Sequence, residues 1–239
     1  VVQGTGVFAN ASDPTTQVSG LSVGENIFQW TVNNGPCANP LTTDQVSIFV
    51  FSASNPVANA GVNWELCTPN NTYNLQGSSL SFPATGVWTL VSGTGTITNP
   101  ASPTSSVTGL AIGENIFQWT VNNGPCANAI TTDQVSIFVF DENNPVVDAG
   151  PDQDLCTPTT STVLQGSAAI FPAIGTWTVV SGTAVLADDN SPTSAVSGLS
   201  IGLNLLQWSV NNEPCASGTS DDLVAISVYD ASAPAAAAG

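Results

Sequence analysis

The feature that most constrains this chain is an internal repeat. The stretch GENIFQWTVNNGPCAN occurs at residues 24–39 and again at 113–128, and a diverged copy, GLNLLQWSVNNEPCAS, occupies 202–217. Cys37, Cys126 and Cys215 are spaced by 89 residues, and the same interval separates Cys67 from Cys156. Trp30, Trp119 and Trp208 keep it, as do Pro14, Pro103 and Pro192, and Asp44, Asp133 and Asp222. Residues 24–51 and 113–140 agree at 26 of 28 positions. A fixed period of this size means one structural unit duplicated in tandem. Its phase divides the chain into the C-terminal part of a truncated repeat at 1–55, complete repeats at 56–144 and 145–233, and the start of another at 234–239. The tail DASAPAAAAG supports that last assignment, because it aligns with DENNPVVDAG at 141–150. The chain reads as a window on a longer array.

Within each repeat, apolar and polar residues alternate with period two, the signature of half-buried strands. Phe117, Trp119 and Val121 point one way in IFQWTV, while Gln118 and Thr120 point the other. Val135, Ile137 and Val139 share a face of DQVSIFVF, and Trp88 and Leu90 share a face of GVWTLVSG. Clusters such as SFPATG, TNPASPT and NNGP interrupt these runs at turn spacing. No stretch sustains a 3.6-residue period. The expected fold is all-β: a tandem array of immunoglobulin-like sandwiches of seven or so strands, one per 89 residues. Trp88 with Trp119, and Trp177 with Trp208, are expected inside each sandwich. Trp64, replaced by Gln153 one repeat later, is expected at the surface near a junction. Phe49, Phe51, Phe138 and Phe140 lie on the second face of the last strand, which packs between repeats, between chains or into a wider core.

Composition narrows the chemistry. The chain has 239 residues, a formal charge of −17, and no Lys, Arg, His or Met. Without basic side chains it has no patch to neutralise phosphates, so nucleic-acid binding is not expected. Adhesion to anionic lipid headgroups is disfavoured for the same reason. Lacking His, it has no Ser-His or Cys-His pair and no histidine metal site. No apolar run reaches the ~18–20 residues of a membrane-spanning helix. Only carboxylate chemistry remains. Asp188, Asp189 and Asn190 share one loop of the last complete repeat, but they occur in that copy alone and nothing indicates a cleft around them. No enzymatic activity is expected.

The cysteines suggest disulfides. Cys67 and Cys126 are 59 residues apart, as are Cys156 and Cys215, one pair per complete repeat. The expected bridges are therefore Cys67–Cys126 and Cys156–Cys215, with the partner of Cys37 outside the chain. A free or intermolecular thiol at Cys37 is the alternative. Such bridges imply an oxidising, extracytoplasmic setting.

The residues NPVVDAGPDQDLC, GTWTVVSGTA, SPTSAVSGL, LQWSVNNEPC and DDLVAISVYD, in that order, resemble the PKD-like, Ig-like tandem repeats of giant secreted adhesins of the Bacteroidota, including SprB-type gliding-motility adhesins. Pro145, Ala149, Gly150 and Asp152 are similar to the start of a PKD domain, whereas Val62 and Asn63 depart from it at the preceding junction. The resemblance implies export, by the type IX route, and display as an extracellular stalk.

Other polar groups have two readings each. Asp141, Asp148, Asp152 and Asp154, with Glu142, Asn143 and Asn144, are candidate calcium ligands at the second junction, or a solvated linker. Asp44, Asp133 and Asp222 read as hydrogen-bond caps or surface ligand contacts. Asn10 and Asn70 each head an N-glycosylation pattern. The function expected is a structural or adhesive stalk or filament segment at the cell surface. The alternatives are a self-assembling filament or sheath subunit, lateral or end to end, and a carbohydrate-binding module using Trp64 or the Phe138 and Phe140 face. The partners are accordingly neighbouring repeats, further copies of the chain, or a surface polysaccharide.

Overall fold

The computed structural model describes residues 1–37, 39–54, 57–143 and 146–232, and every regular element among them is a strand. The 234–239 segment and the boundary residues Asn55, Pro56, Asn144 and Pro145 lie outside the described residues. Two compact units form, one from Val1–Val62, Thr72–Thr108 and Ile116–Ser136, the other from Asn63–Asn71, Gly109–Asn115 and Ile137–Gly239.

The last repeat, wholly inside the second unit, shows the design. Its strands are β12 (Gln153–Cys156), β13 (Thr162–Val163), β14 (Ile174–Ser181), β15 (Val185–Leu186), β16 (Ala195–Ser197), β17 (Gly202–Asn211) and β18 (Thr219–Tyr229). They form a four-stranded sheet in the order β12-β18-β17-β14 and a three-stranded sheet in the order β13-β16-β15. All pairings are antiparallel except β12 with β18, which run parallel with Cys156 opposite Tyr229. The seven strands and their two sheets make an immunoglobulin-like sandwich. Leu164, Trp177, Val196, Leu206, Trp208, Val224 and Ile226 fill it, each at most 2% exposed. Trp177 and Trp208 face each other from β14 and β17 with ring centroids 4.9 Å apart. A buried indole removes ~150–250 Å² from water, an upper bound of about 4–6 kcal/mol each. Their indole N–H groups donate to Ser191 O (3.0 Å) and Ser167 O (3.0 Å), so neither polar atom is left unpaired. Gly175 is required beside them, because a Cβ there would fall 2.2 Å from Trp208 Cζ2.

The middle repeat has the same series: β5 (Trp64–Cys67), β6 (Thr72–Asn74), β7 (Thr85–Ser92), β8 (Thr96–Ile97), β9 (Ser106–Thr108), β10 (Gly113–Asn122) and β11 (Ile130–Phe140). The sheet orders β5-β11-β10-β7 and β6-β9-β8 reproduce those one period later. Trp88 and Trp119 repeat the tilted pair, with ring centroids 5.0 Å apart.

The truncated repeat contributes β1 (Val7–Phe8) paired with β2 (Val18–Ser19), and β3 (Gly24–Asn33) paired with β4 (Leu41–Val50). Its face is open. Trp30 is 39% exposed where Trp119 is fully buried, and Val46 is 56% exposed where Val135 is 1% exposed. No described segment covers Trp30 as Trp88 covers Trp119.

Candidate functional site

A sandwich of this kind has its backbone groups committed to ladders, so distinctive chemistry collects where one repeat meets the next. In the second unit that junction starts from β5. Cys67, the last residue of β5, lies opposite Phe140, the last residue of β11. Thr68 N–H donates to Phe140 O (2.9 Å), and Glu142 N–H donates back to Thr68 Oγ1 (2.9 Å). The β17–β18 hairpin tip reaches this end: the buried Asn212 donates from Nδ2 to Asp141 O (2.8 Å).

Cys67 is bonded to Cys215 in that hairpin tip, 148 residues away, with Cα atoms 5.4 Å apart. The structure thus corrects the expected Cys67–Cys126 and Cys156–Cys215 bridges, and Cys37, Cys126 and Cys156 are free thiols. The reason is strand direction. Cys156 sits opposite Tyr229, the last residue of β18, whereas Cys215 precedes Thr219, its first residue. An 11-residue strand separates its ends by roughly 33 Å at about 3.3 Å per residue. A disulfide needs Cα atoms within about 7 Å. Parallel pairing of the short first strand with the last one puts the two cysteines of a repeat at opposite poles. The hairpin-tip cysteine is instead offered to the preceding repeat.

Aromatic side chains follow the same logic. Phe140 is 6% exposed and joins the core of the last repeat, with Phe138 and Cys67 packed against that cluster. Phe138 meets Phe171 edge to face at 6.3 Å. In the first unit, Phe49 meets Phe82 edge to face at 5.9 Å, and Asn123 Nδ2 donates to Ser52 O (3.1 Å). Phe51 lies over Gly124 so closely that a Cβ at that position would come within 2.5 Å of the ring. Of the three readings of the Phe49, Phe51, Phe138 and Phe140 face, packing between repeats is the one adopted. Trp64 is 46% exposed, as expected from its replacement by Gln153.

The four candidate calcium ligands do not converge. Asp148 Oδ1 accepts from Gly150 N–H (2.7 Å), Asp152 Oδ1 from Ala225 N–H (2.8 Å), and Asp141 Oδ1 from Asn143 N–H (3.0 Å). Asp154 lies on β12 opposite Ser227. Among the described residues, the one group of three or more His, Cys, Asp or Glu ligand atoms drawn together is Cys67, Cys215 and Glu142, which contains none of the four aspartates. Both of its sulfurs are already in the disulfide. Asn144 of the proposed set lies outside the described residues.

Asp133 and Asp222 act as caps. Asp133 Oδ2 accepts from Ala60 N–H (2.8 Å) and Asp222 Oδ2 from Ala149 N–H (2.9 Å), holding the incoming segment of each repeat to its last strand. The N–H groups of Ala149 and then Leu223 hold the Asp222 carboxyl below the usual carboxylate range, as hydrogen bonds to an anion do. Asp44 bonds the N–H of Gln45 (2.9 Å). Asp188 and Asn190 shape a turn, with Asn190 N–H donating to Asp188 Oδ1 (3.0 Å).

Two recurring groups escaped the reading of the sequence although the 89-residue period carried them. Asn26, Asn115 and Asn204 are buried. Asn204 Oδ1 accepts from the N–H groups of Thr183 and Ser200, while its Nδ2 donates to Ser200 O and Ile226 O. Thr68 and Thr157 are the other group, at the end of the first strand. Their signal was repetition without hydrophobicity, which periodicity analysis does not weigh.

No protein-family model matches the chain. It is 28% identical over 244 residues to the human dyslexia-associated protein KIAA0319, a match covering 96% of this chain and 23% of that protein. The chain thus spans about a quarter of the length of this curated relative. Among solved structures, it is similar to the PKD domain of human KIAA0319 (19% identity, TM-score 0.32, 38% of this chain and 87% of that one). The PKD domain of the KIAA 1837 protein gives 29% identity and a TM-score of 0.32, covering 38% of this chain and 92% of that one. These two likenesses are to PKD domains; the immunoglobulin-type sandwich is given by the observed sheets themselves.

Proposed function

We propose that the chain is a non-enzymatic structural or adhesive segment of an extracellular, cell-surface array, built from PKD-like repeats at 1–55, 56–144, 145–233 and onward from 234. The observation that carries this is the junction. Phe140 of one repeat enters the core of the next, and Cys67 is bonded to the hairpin tip of that next repeat. A domain whose last strand completes its neighbour's core is built to be strung in series. The disulfide supports an oxidising location outside the cytoplasm. Export by a type IX route and a role in gliding motility are the finer form of this proposal and rest on the resemblance of the repeat motifs.

Antiserum against the chain should label intact cells of its source without lysis. On a reducing, denaturing gel it should reveal a polypeptide well above the 24.2 kDa of this chain. Label appearing only after lysis would refute surface display, and a band at 24.2 kDa would refute the long array.

One observation favours a second reading, polysaccharide binding. A groove of about 330 Å³ at the second junction is lined by Phe138, Phe171 and Ile174 and carries Glu65 and Glu213. Phe171 is 60% exposed beside it. An aromatic face with flanking carboxylates suits a neutral sugar ring. Retention of the chain on immobilised polysaccharides, lost in Phe171→Ala, tests it.

A further inference from the structure

Cys156 ends β12 in the same setting in which Cys67 ends β5. Cys67 lies opposite Phe140 and Cys156 opposite Tyr229. Thr68 N–H donates to Phe140 O (2.9 Å), and Thr157 N–H donates to Tyr229 O (3.0 Å). Glu142 N–H reaches Thr68 Oγ1 (2.9 Å), and Ala231 N–H reaches Thr157 Oγ1 (2.9 Å). One cysteine is bonded to a hairpin tip from the following repeat; the other is an exposed free thiol.

The complementary half is also on the molecule. The three hairpin tips share one turn: Gly35 N–H to Asn33 Oδ1, Gly124 N–H to Asn122 Oδ1 and Glu213 N–H to Asn211 Oδ1, each 2.9 Å. The chain is closed behind them by Asn34 N–H to Pro40 O (2.7 Å), Asn123 N–H to Ala129 O (2.7 Å) and Asn212 N–H to Gly218 O (2.9 Å). Two tips are seated on the end of a preceding repeat, through Asn123 on Ser52 and Asn212 on Asp141. The Cys37 tip is seated on none among the described residues, and its thiol is exposed.

We infer that Cys156 is a covalent coupling site whose partner in the array is the hairpin-tip cysteine of the following repeat; for these 239 residues taken alone, Cys37 of a second copy offers the same tip and stands in for it. This rests on the proposed array and names its connector. Coupling is a two-electron oxidation: the thiols of Cys156 and Cys37 lose two protons and two electrons, and a small disulfide such as oxidised glutathione is reduced to two thiols. The route is thiol–disulfide exchange through a mixed disulfide. The connector is specific, because the strand-end cradle presents Cys156 to a hairpin tip and not to another strand end.

The test uses the whole chain, reduced and then reoxidised with oxidised glutathione, run on a non-reducing gel. Linked peptides are identified after cleavage at Asp and Glu, because the chain offers trypsin no Lys or Arg. The expected result is a ladder in steps of 24.2 kDa, with Cys156 peptides joined to Cys37 peptides and an intrachain Cys67–Cys215 link. Cys156→Ser and Cys37→Ser each remove the ladder, whereas Cys126→Ser retains it. A chain with Cys67–Cys215 formed but Cys156 still open to alkylation overturns the coupling and leaves the junction standing. So do Cys156–Cys156 and Cys37–Cys37 links in yields comparable to the mixed one. Recovery of Cys67–Cys126 and Cys156–Cys215 overturns both the coupling and the junction on which the proposed array depends.

Discussion

At the level of single residues, this fold is held by a few side chains whose loss has no local remedy. Asn204 serves two backbone N–H groups, the Ser200 hydroxyl and three carbonyls from inside the sandwich. Asn204→Ala removes the partner of these groups, and the buried Ile226 carbonyl is the one that cannot turn to water, at about 1–3 kcal/mol before relaxation, so its urea midpoint should fall more than that of any exposed Asn→Ala control. Gly175→Ala places a methyl against the Trp208 ring and should cost about 1–3 kcal/mol by overpacking, with a matching change in near-ultraviolet circular dichroism. Asp222 gives a pH dependence of definite sign. Hydrogen bonds from the N–H groups of Ala149 and Leu223 hold its carboxyl below the usual aspartate range in the folded chain, so its contribution is present above the unfolded-state value and is lost as pH falls through the folded one. Asp222→Asn should therefore flatten the fall in stability from about pH 4 downward and change nothing about its slope at neutral pH. A wild-type slope preserved in the variant would remove Asp222 as the cause.

At the level of elements, the pairing that matters is the short parallel strand that opens each repeat. β5 and β12 have four residues each, too few to be stable alone, and are held by the last strand and by Asp133 or Asp222 capping the segment that leads into them. Because that strand runs parallel to its partner, its end lies at the outgoing pole of the repeat, where the next hairpin arrives. Edge-to-face aromatic pairs, Phe49 with Phe82 and Phe138 with Phe171, recur at both junctions. A double-mutant cycle on Phe138→Ala and Phe171→Ala should give a coupling of about 0.5–1.5 kcal/mol. A coupling near zero would mean that the rings are adjacent without stabilising the junction.

For the whole molecule, charge and repetition set the behaviour. With −17 formal charge and no basic side chain, no surface ion pair offsets the self-repulsion of the compact state. Raising salt from ~10 to ~150 mM shortens the Debye length from ~30 to ~8 Å, so thermal stability should rise over that range. A flat or falling melting temperature would count against this. The same charge keeps copies soluble in the absence of a specific connector.

The sequence by itself determined the period, the strands and the interior. Alternation in IFQWTV and DQVSIFVF was enough to send Trp119, Val135 and Ile137 inward, since a half-buried strand admits one assignment of faces. The caps at Asp133 and Asp222 were legible as recurring acids at a strand start. The contacts between repeats were not. The 59-residue interval made Cys67–Cys126 and Cys156–Cys215 look like pairs, and the clustered acids from Asp141 to Asp154 looked like one site. Sequence spacing measures distance along the chain, whereas a disulfide or a metal site needs proximity in space. Only the tertiary structure decided which pole each cysteine occupies, because that follows from the parallel direction of a four-residue strand that no periodicity reveals.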